Sequence, residues 1–334
     1  MFGALLKKRP LPGMCAIDVT AGGISIARLI QGADKPILEF CDFFSTEEIS
    51  PERQLKKLAD LHKLHRSTCA SLLGSDDYQL LVTESPSVPQ EERRAALRWR
   101  IKDLISDPAT EITLDAFDVP PPRGSEKSSS IYVVVAKNVP LNSHCANLLN
   151  ADINLKVIDI IEMAQRNIAS LLPDDENGVA LLSLQPTKGM LTLTKAGELY
   201  LSRPIGLGLD QAVPETVTTE AQPQDDNDLP DLDLDLEFGN TAAYDQIALE
   251  LQRLLDYYES NFRQAPIRKL YLAPTLRELP GFPDHIKENL NMSVELIDLT
   301  DLFECKKEIS LATQAQAFYA IGAALHRIEN EPGN

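Results

Sequence analysis

The sequence lacks the short motifs that many enzymes of phosphate, ester and peptide chemistry carry. It contains no G-x-x-x-x-G-K-[ST] phosphate loop, no H-E-x-x-H zinc helix and no G-x-S-x-G nucleophile turn. Its five histidines have no metal-ligand spacing apart from His62 and His65, which stand one turn apart on a polar predicted helix. The sequence therefore does not indicate metalloenzyme or serine-hydrolase chemistry.

Paired cysteines and long apolar runs are also missing. The five cysteines stand far apart without a C-x-x-C pair, so we expect reduced, buried thiols rather than a disulfide framework or a zinc site. No apolar run approaches the ~20 residues that a membrane helix needs. Lys7, Lys8 and Arg9 are not followed by the apolar segment of a secretory signal, so we expect a cytoplasmic protein.

The charge of the chain is concentrated in one stretch that has no basic residue. The 334 residues carry a net charge of −18, and ten of the acids lie within residues 210–237. An acidic protein without a basic face is repelled by nucleic acid, which we exclude as a partner. We predict that residues 212–240 form a mobile acidic insertion. Its alternating run from Asp231 to Phe238 is an edge strand, a recognition segment or a disordered loop.

The remaining pattern is typical of an α/β protein with some antiparallel hairpins. Apolar residues make up 43% and charged residues 25% of the chain, and its length suffices for two domains. Predicted strands alternate with predicted helices at residues 51–71, from Gln90 onwards, at 241–263 and at 311–327. The helix from Gln90 has an inward stripe at Leu97, Ile101, Leu104 and Ile105.

Two stretches of the chain follow the same plan, at residues 15–29 and 179–194. Each is a short apolar run, a small-residue turn and an alternating run that predicts the returning strand of a hairpin. Their offset of about 165 residues suggests a duplicated architecture, in which two facing turns would close on the phosphates of a nucleotide. The first stretch has the acid Asp18, whereas the second has Ser183 at the corresponding position.

The order and spacing of several segments resemble a known family. The segments are Asp18 with its small-residue turn, 91–105 with Arg98-Trp99, Leu114-Asp115, 131–137, 157–167, 254–259, 270–273, 279–282 and 320–325. Together they resemble the actin-like PilM family of type IV pilus assembly proteins, and most closely its MSHA pilus branch, the MshI proteins.

The resemblance implies an actin-like fold, that is, a duplicated ribonuclease H-like α/β architecture with mixed sheets. The first half would span residues 1–170 and contain a small subdomain at about 37–130. The second half would span 171–334 and contain the acidic insertion.

The resemblance also implies a partner and a location. The protein would bind the short cytoplasmic tail of a PilN-like (MshJ-like) single-pass inner-membrane protein, and a pilus assembly ATPase is a further candidate partner. It would lie in the cytoplasm, at the periphery of the inner membrane, without inserting into it. The cytoplasmic domain of the secretion protein GspL is similar in fold and role.

The nucleotide-binding turns of the family are degraded in this sequence. The family turn D-I-G-S-S-S-x-K matches residues 18–25, so Asp18, Thr20, Gly22 and Gly23 are the candidate nucleotide contacts, but the lysine is missing. The second turn, D-I-G, matches Ser183-Leu184-Gln185, and the glycine-rich adenosine turn matches residues 274–277, which begin with a proline. We therefore expect no enzyme activity and no required cofactor, with ATP as the open alternative.

Simpler explanations exist for four candidate residues. Asp18 contacts Mg²⁺-bound water or phosphate, or it caps its own turn by accepting backbone N–H groups. Gly22 and Gly23 cradle a phosphate, or they only allow a tight hairpin. Asp159 matches the family's strand-to-helix junction between the domains and is expected to cap the helix that begins near Glu162 rather than to act in catalysis.

The helix at residues 91–105 is the candidate partner-binding element. Arg94, Arg98, Trp99 and Lys102 combine guanidinium and aromatic groups, which is typical of interface hot spots. The alternative is that Trp99, the only tryptophan, is buried against the sheet of the small subdomain.

We thus expect a scaffold that holds a pilus platform together from the cytoplasmic side. The alternative is an ATP-binding or ATP-hydrolysing relative of actin and the sugar kinases, and Ser183 favours the scaffold. A filament former similar to FtsA is disfavoured, because no amphipathic membrane helix is expected at residues 329–334.

Overall fold

The computed structural model describes residues 10–105, 108, 110–125, 130–213 and 232–326, with the backbone alone for 232–240. The described strands, in chain order, are β1 (Met14–Val19), β2 (Gly23–Ile30), β3 (Ile37–Ser45), β4 (Thr68–Leu72), β5 (Tyr78–Glu84), β6 (Ile112–Asp118), β7 (Ser130–Lys137), β8 (Leu155–Asp159), β9 (Val179–Leu184), β10 (Gly189–Lys195), β11 (Glu198–Ile205), β12 (Lys269–Leu272), β13 (Ser293–Leu296) and β14 (Glu304–Cys305).

The helices connect these strands and cover the sheets. In chain order they are α1 (Pro51–His62), α2 (Gln90–Ile101), α3 (Asn138–Asn150), α4 (Ile161–Ala169), α5 (Leu209–Ala212), α6 (Leu232–Phe262), α7 (Phe282–Leu290), α8 (Leu299–Leu302) and α9 (Leu311–Ala324). None of the helices described is long and apolar enough to cross a membrane.

The two large sheets repeat one topology, as the two similar hairpins predicted. The first sheet has the order β14-β3-β2-β1-β4-β8 and the second has β11-β10-β9-β12-β13. In each, three consecutive antiparallel strands are followed by two strands parallel to the first of them. This duplication confirms the predicted actin-like α/β fold.

The two sheets are joined through the helices α4 and α9. Helix α9 packs on β1, β2, β3 and β4, while α4 packs on β9, β10 and β11, and the two helices contact each other. Gly322 allows this contact, because a Cβ atom there would lie 2.2 Å from the carbonyl oxygen of Ala164. The Asn167 amide also donates to the Gly322 carbonyl at 2.9 Å. The two halves therefore share one continuous core.

A third, three-stranded sheet corrects the predicted domain limits. Its order is β5-β7-β6, so the small subdomain lies within 78–137. The predicted start at residue 37 is wrong, because β3 pairs with β2 in the first sheet. The prediction that 171–334 forms only the second half is also wrong, because β14 and α9 return to the first sheet.

Two element predictions fail for local reasons. The helix predicted at 51–71 ends at His62, where Lys63 takes a left-handed conformation, and Thr68–Leu72 is β4, parallel to β1. Strand β11 was not predicted. It follows a tight turn at Ala196 and Gly197, which both have positive φ angles in the structure. Apolar spacing alone did not reveal either boundary.

The acidic segment is only partly within the described residues. Residues 214–231 lie outside them, so the predicted mobile insertion is not tested there. The backbone of 232–240 is helical and forms the beginning of α6, so the prediction of an edge strand or a disordered loop is wrong for those residues.

Candidate functional site

The first turn, between β1 and β2, is built as a tight hairpin. The Thr20 amide donates to the Gly23 carbonyl at 2.9 Å, and the Gly23 amide donates back to the Thr20 carbonyl at 3.3 Å. A Cβ atom on Gly23 would lie 2.5 Å from the Phe44 carbonyl oxygen, whereas one on Gly22 would meet nothing within 4 Å. Packing therefore accounts for Gly23, and two of the amides that a phosphate would need are already used within the turn.

Asp18 lies at the end of β1 and is only 9% exposed. No hydrogen bond or ion pair joins its carboxylate to any other residue that the structure describes, so the prediction that it caps the turn is wrong. Burial without a partner raises the pKa of Asp18 to about 6. The carboxyl group is therefore protonated only as the pH falls through about 6, and the predicted nucleotide contact remains a prediction.

Ser183, at the position of the second acid, belongs to a closed hydrogen-bond network. Its hydroxyl donates to Gln165 Oε1 at 2.7 Å and lies 2.7 Å from the Tyr319 hydroxyl. Since the single Ser183 proton goes to Gln165, Tyr319 must donate to Ser183. Gln165 Nε2 donates in turn to the Leu181 carbonyl at 2.8 Å and to Thr192 Oγ1 at 3.0 Å. We call Tyr319, Ser183, Gln165 and Thr192 the Ser183 network.

The Ser183 network connects the two halves. Tyr319 comes from α9 on the first sheet, Gln165 from α4, and Ser183 and Thr192 from the second sheet, and all are buried. Burial also raises the pKa of the Tyr319 hydroxyl, which stays neutral. Side chains of the chain itself thus satisfy the polar groups at this point. The network contains no carboxylate of its own, although Glu162 and Asp18 lie near enough to contribute to the raised pKa of Tyr319.

The third turn, after β12, is also filled by the chain itself. The Thr275 hydroxyl donates to the Arg277 carbonyl at 2.8 Å. The Arg277 guanidinium donates to the Val213 carbonyl at 2.8 Å and forms an ion pair with Asp210. A nucleotide would need open backbone at this turn, so the residues present do not fit an adenosine site.

A polar contact joins the second turn, between β9 and β10, to the segment that precedes β5. Lys188, in the turn between β9 and β10, donates to Ser75 Oγ at 2.6 Å and to both oxygens of Asp76 at 3.1 Å. Ser75 and Asp76 precede β5 and so lead into the three-stranded sheet. The second half is therefore tied directly to the small subdomain.

Two further acids lie at the start of α4. Tyr78 Oη donates to Glu162 Oε2 at 2.5 Å, and burial raises the pKa of the Glu162 carboxyl. Asp159 accepts a hydrogen bond from the adjacent Ile160 amide at 2.9 Å, but Ile160 occupies the N-cap position of α4 and no side chain caps the helix. The prediction that Asp159 caps this helix is therefore wrong. The described residues contain no cluster of three or more potential metal ligands.

The predicted partner helix, α2, covers one face of the three-stranded sheet. Leu97 and Ile101 are buried against β6 and β7, as predicted, whereas Leu104 is exposed. Trp99 is 76% exposed, so the alternative in which it is buried against the sheet is wrong. The Lys102 ammonium lies 5.5 Å from the centre of the Trp99 ring.

The basic residues around Trp99 differ in what they contact. Arg94 pairs with Asp115 on β6 at 3.2 Å, so part of its charge is neutralised. Arg98 and Lys102 are exposed on the same outward side of α2 as Trp99. Arg98, Trp99 and Lys102 thus lie together on the outward side of α2, and Arg94 lies on its flank.

Sequence reasoning missed Tyr319 and Gln165, which engage the Ser183 hydroxyl, and Lys188, which ties the turn after β9 to Ser75 and Asp76. One available signal was a polar residue within an otherwise apolar helix stripe, since buried polar residues need partners. Gln165 and Asn167 both interrupt the apolar side of α4 in this way.

Comparison with known proteins identifies the family. The model of the family "Type IV pilus assembly protein PilM" matches residues 87–328. Among solved structures, the PilM-PilN type IV pilus biogenesis complex has a TM-score of 0.69 at 17% identity, and the match covers 95% of this chain and 98% of that one. The cytoplasmic domain of EpsL, an inner-membrane component of the Vibrio cholerae type II secretion system, has a TM-score of 0.47 at 9% identity, covering 91% and 93%.

A search of curated proteins gives no match. The similarity of the PilM-PilN structure, at its low identity, supports the fold alone, whereas the family model spans most of the chain. The chain therefore belongs to the PilM family of type IV pilus assembly proteins.

Proposed function

We propose that the protein is a scaffold of a type IV pilus assembly platform and binds the short cytoplasmic tail of a PilN-like inner-membrane protein. Membership of the PilM family supports the pilus setting, and a structurally similar protein is a PilM-PilN complex. The residue-level resemblance to MshI proteins supports an MSHA-type pilus and an MshJ-like partner. The protein would then be held at the cytoplasmic side of the inner membrane by that partner.

The Ser183 network is the observation that carries the non-enzymatic part of this proposal. A nucleotide-binding relative would need a second acid where the Ser183 hydroxyl is engaged by Gln165 and Tyr319. The filled turn at Arg277 and the consumed amides of the first turn point the same way. The protein therefore works by binding its partner, and ATP is not required.

Within the small subdomain, we propose α2 as part of the tail-binding surface. A tryptophan that is mostly exposed, with a lysine ammonium over its ring, offers apolar area and charge at one place. Trp and Arg are the residues most enriched at interface hot spots. Arg94, Arg98, Trp99 and Lys102 are thus the proposed contacts.

One observation favours ATP binding as the second candidate function. Asp18 is a buried carboxylate without a partner, which is a costly arrangement unless a ligand or a proton compensates for it. A proton supplies that compensation without a ligand only as the pH falls through about 6. A pilus assembly ATPase as an additional partner rests on the family resemblance only.

Co-sedimentation with membranes tests the scaffold proposal. The protein should pellet with vesicles that carry the full-length PilN-like partner of an MSHA system, and remain in the supernatant with vesicles that carry a tail-deleted partner. Vesicles with a PilN-like protein of another type IV pilus are the test of the MSHA assignment. Equal recovery with intact and tail-deleted partners would contradict tail binding, and equal recovery with both intact partners would contradict the MSHA assignment.

A further inference from the structure

The three-stranded sheet has two edge strands, β5 and β6, which differ in how their outward backbone groups are protected. Because Lys137 N donates to the Asp77 carbonyl at 3.3 Å, the ladder between β5 and β7 uses the odd-numbered residues of β5. The backbone N–H and C=O groups of Leu80 and Val82 therefore face away from β7. No strand among the described residues pairs with β5 on that side.

The opposite edge, β6, is protected in two ways. The Ala116 amide, which faces outward by the same alternation, donates to the Asp115 carboxylate at 3.0 Å. The strand also carries the charged residues Asp115 and Asp118, which pair with Arg94 and Arg93 of α2. Such charges and self-satisfied amides are the usual means by which proteins prevent pairing at a sheet edge.

Strand β5 lacks these protections along its length, and only its last residue, Glu84, pairs with an arginine of α2. The strand contains no charged residue and no proline between Tyr78 and Thr83, and Val82 is 54% exposed. The edges of the large sheets differ from it, since β8 carries Lys156, β11 carries Arg203 and Pro204, β13 carries Glu295, and β14 has only two residues. Within the part of the chain that the structure describes, β5 is thus the apolar, unprotected edge.

We propose that β5 binds an extended segment of the partner's cytoplasmic tail as a fourth strand of the small sheet. This inference rests on the proposed function and specifies how the tail is recognised. Outward amide and carbonyl groups at alternate residues select an extended main chain, and the exposed Val82 selects an apolar side chain beside it. The Arg100–Glu84 ion pair, at 2.8 Å, holds α2 next to the end of β5, so side chains of the added strand can also contact that helix.

The charges at the ends of β5 indicate the composition of the tail. Asp76 and Asp77 precede the strand, and Glu84 ends it. Asp76 and Glu84 already pair with Lys188 and Arg100, but their side chains are 92% and 83% exposed, so a further cation can reach both carboxylates. An apolar segment with Lys or Arg at its ends complements these acids, and cytoplasmic segments next to membrane helices are rich in Lys and Arg. A second copy of this chain is a poorer occupant, because antiparallel pairing of two β5 strands would place acids of the two copies near each other, in chains that each carry a net charge of −18.

The test compares Val82→Pro with Val82→Thr in the full-length protein. Proline removes the outward N–H at the open edge but no bond to β7, whereas threonine keeps that N–H and is similar in shape. A synthetic peptide of the PilN-like partner's cytoplasmic tail is the probe, and calorimetry measures its affinity. We expect Val82→Pro to weaken tail binding about tenfold or more, and Val82→Thr to change it by about threefold or less.

Amide hydrogen exchange of the wild-type protein gives a second readout that does not depend on the variants folding. Addition of the tail should slow exchange at Leu80 and Val82, whereas Leu81 is already protected by β7. Tail binding with unchanged exchange at Leu80 and Val82 would overturn strand addition and leave the scaffold proposal standing. A wild-type protein that does not bind the tail would refute both. Dimerisation that Val82→Pro abolishes would identify a second copy as the occupant, contrary to the proposal.

Discussion

Replacement of Trp99 by alanine should separate binding from stability. A tryptophan side chain offers about 200 Å² of surface, and with 76% of the residue exposed, about 150 Å² is free for a partner. At about 25 cal/mol per Å², complete coverage would contribute about 4 kcal/mol and half coverage about 2 kcal/mol. The dissociation constant of the tail peptide should therefore rise about 30-fold in Trp99→Ala, measured by calorimetric titration.

The same substitution should leave the fold intact. Trp99 makes few contacts that burial would stabilise, and alanine has the higher helix propensity, so the unfolding free energy should change by less than about 0.5 kcal/mol. Leu149→Ala is the matched control, because Leu149 is 59% exposed on α3 rather than on α2. If Trp99→Ala binds the tail as tightly as the wild type, or no more weakly than Leu149→Ala does, α2 is not part of the tail-binding surface.

Three further substitutions test the interior. Burial raises the pKa of Asp18 to about 6, so the neutral carboxyl favours the folded state below about pH 4, and this contribution is lost as the pH rises through 6. Asp18→Asn cannot ionise and should therefore be more stable than the wild type by about 2 to 3 kcal/mol in urea unfolding at pH 7.5. The difference should be smaller at pH 5. An equal difference at both pH values would contradict this pKa. Ser183→Ala leaves the Tyr319 hydroxyl and Gln165 Oε1 without a partner and should lower the unfolding free energy by about 1 to 3 kcal/mol, with unchanged tail affinity; an unchanged melting curve would show that the network does not hold the halves together. Gly322→Ala should destabilise the protein by about 2 kcal/mol or more in thermal unfolding, because the new Cβ would clash with Ala164, whereas Gly22→Ala, whose Cβ meets nothing, is the control; equal melting temperatures of the two variants would refute the close contact of α4 and α9.

The duplicated topology could be predicted because it has a local signature. An apolar run, a small-residue turn and an alternating strand recur at Asp18 and at Ser183, and the structure places these hairpins at equivalent positions of two sheets. The buried stripe of Leu97 and Ile101 was predictable for the same reason, since helical periodicity reflects the side that packs.

The domain limits could not be predicted in this way, because they depend on pairing between distant residues. Nothing near Glu304 or Gly322 indicates that the end of the chain returns to the first sheet. Likewise, β4 follows a helical pattern closely, and only its parallel pairing with β1 makes it a strand.

The state of the nucleotide turns was predictable only in part. The loss of an acid at Ser183 is visible in the sequence, whereas its replacement by a network from three separate elements is not. Helical geometry correctly placed Trp99 off the buried stripe of α2. Its exposure could not be predicted, because it depends on whether another part of the chain packs on that side of the helix.

Calorimetric titration of the partner's tail peptide, with and without Mg·ATP, tests most directly whether the protein recruits its partner without nucleotide. We predict the same tail affinity in both conditions, and no heat of binding when Mg·ATP alone is titrated to millimolar concentration. Micromolar binding of Mg·ATP that weakens in Asp18→Ala and changes the affinity for the tail would contradict a nucleotide-independent scaffold.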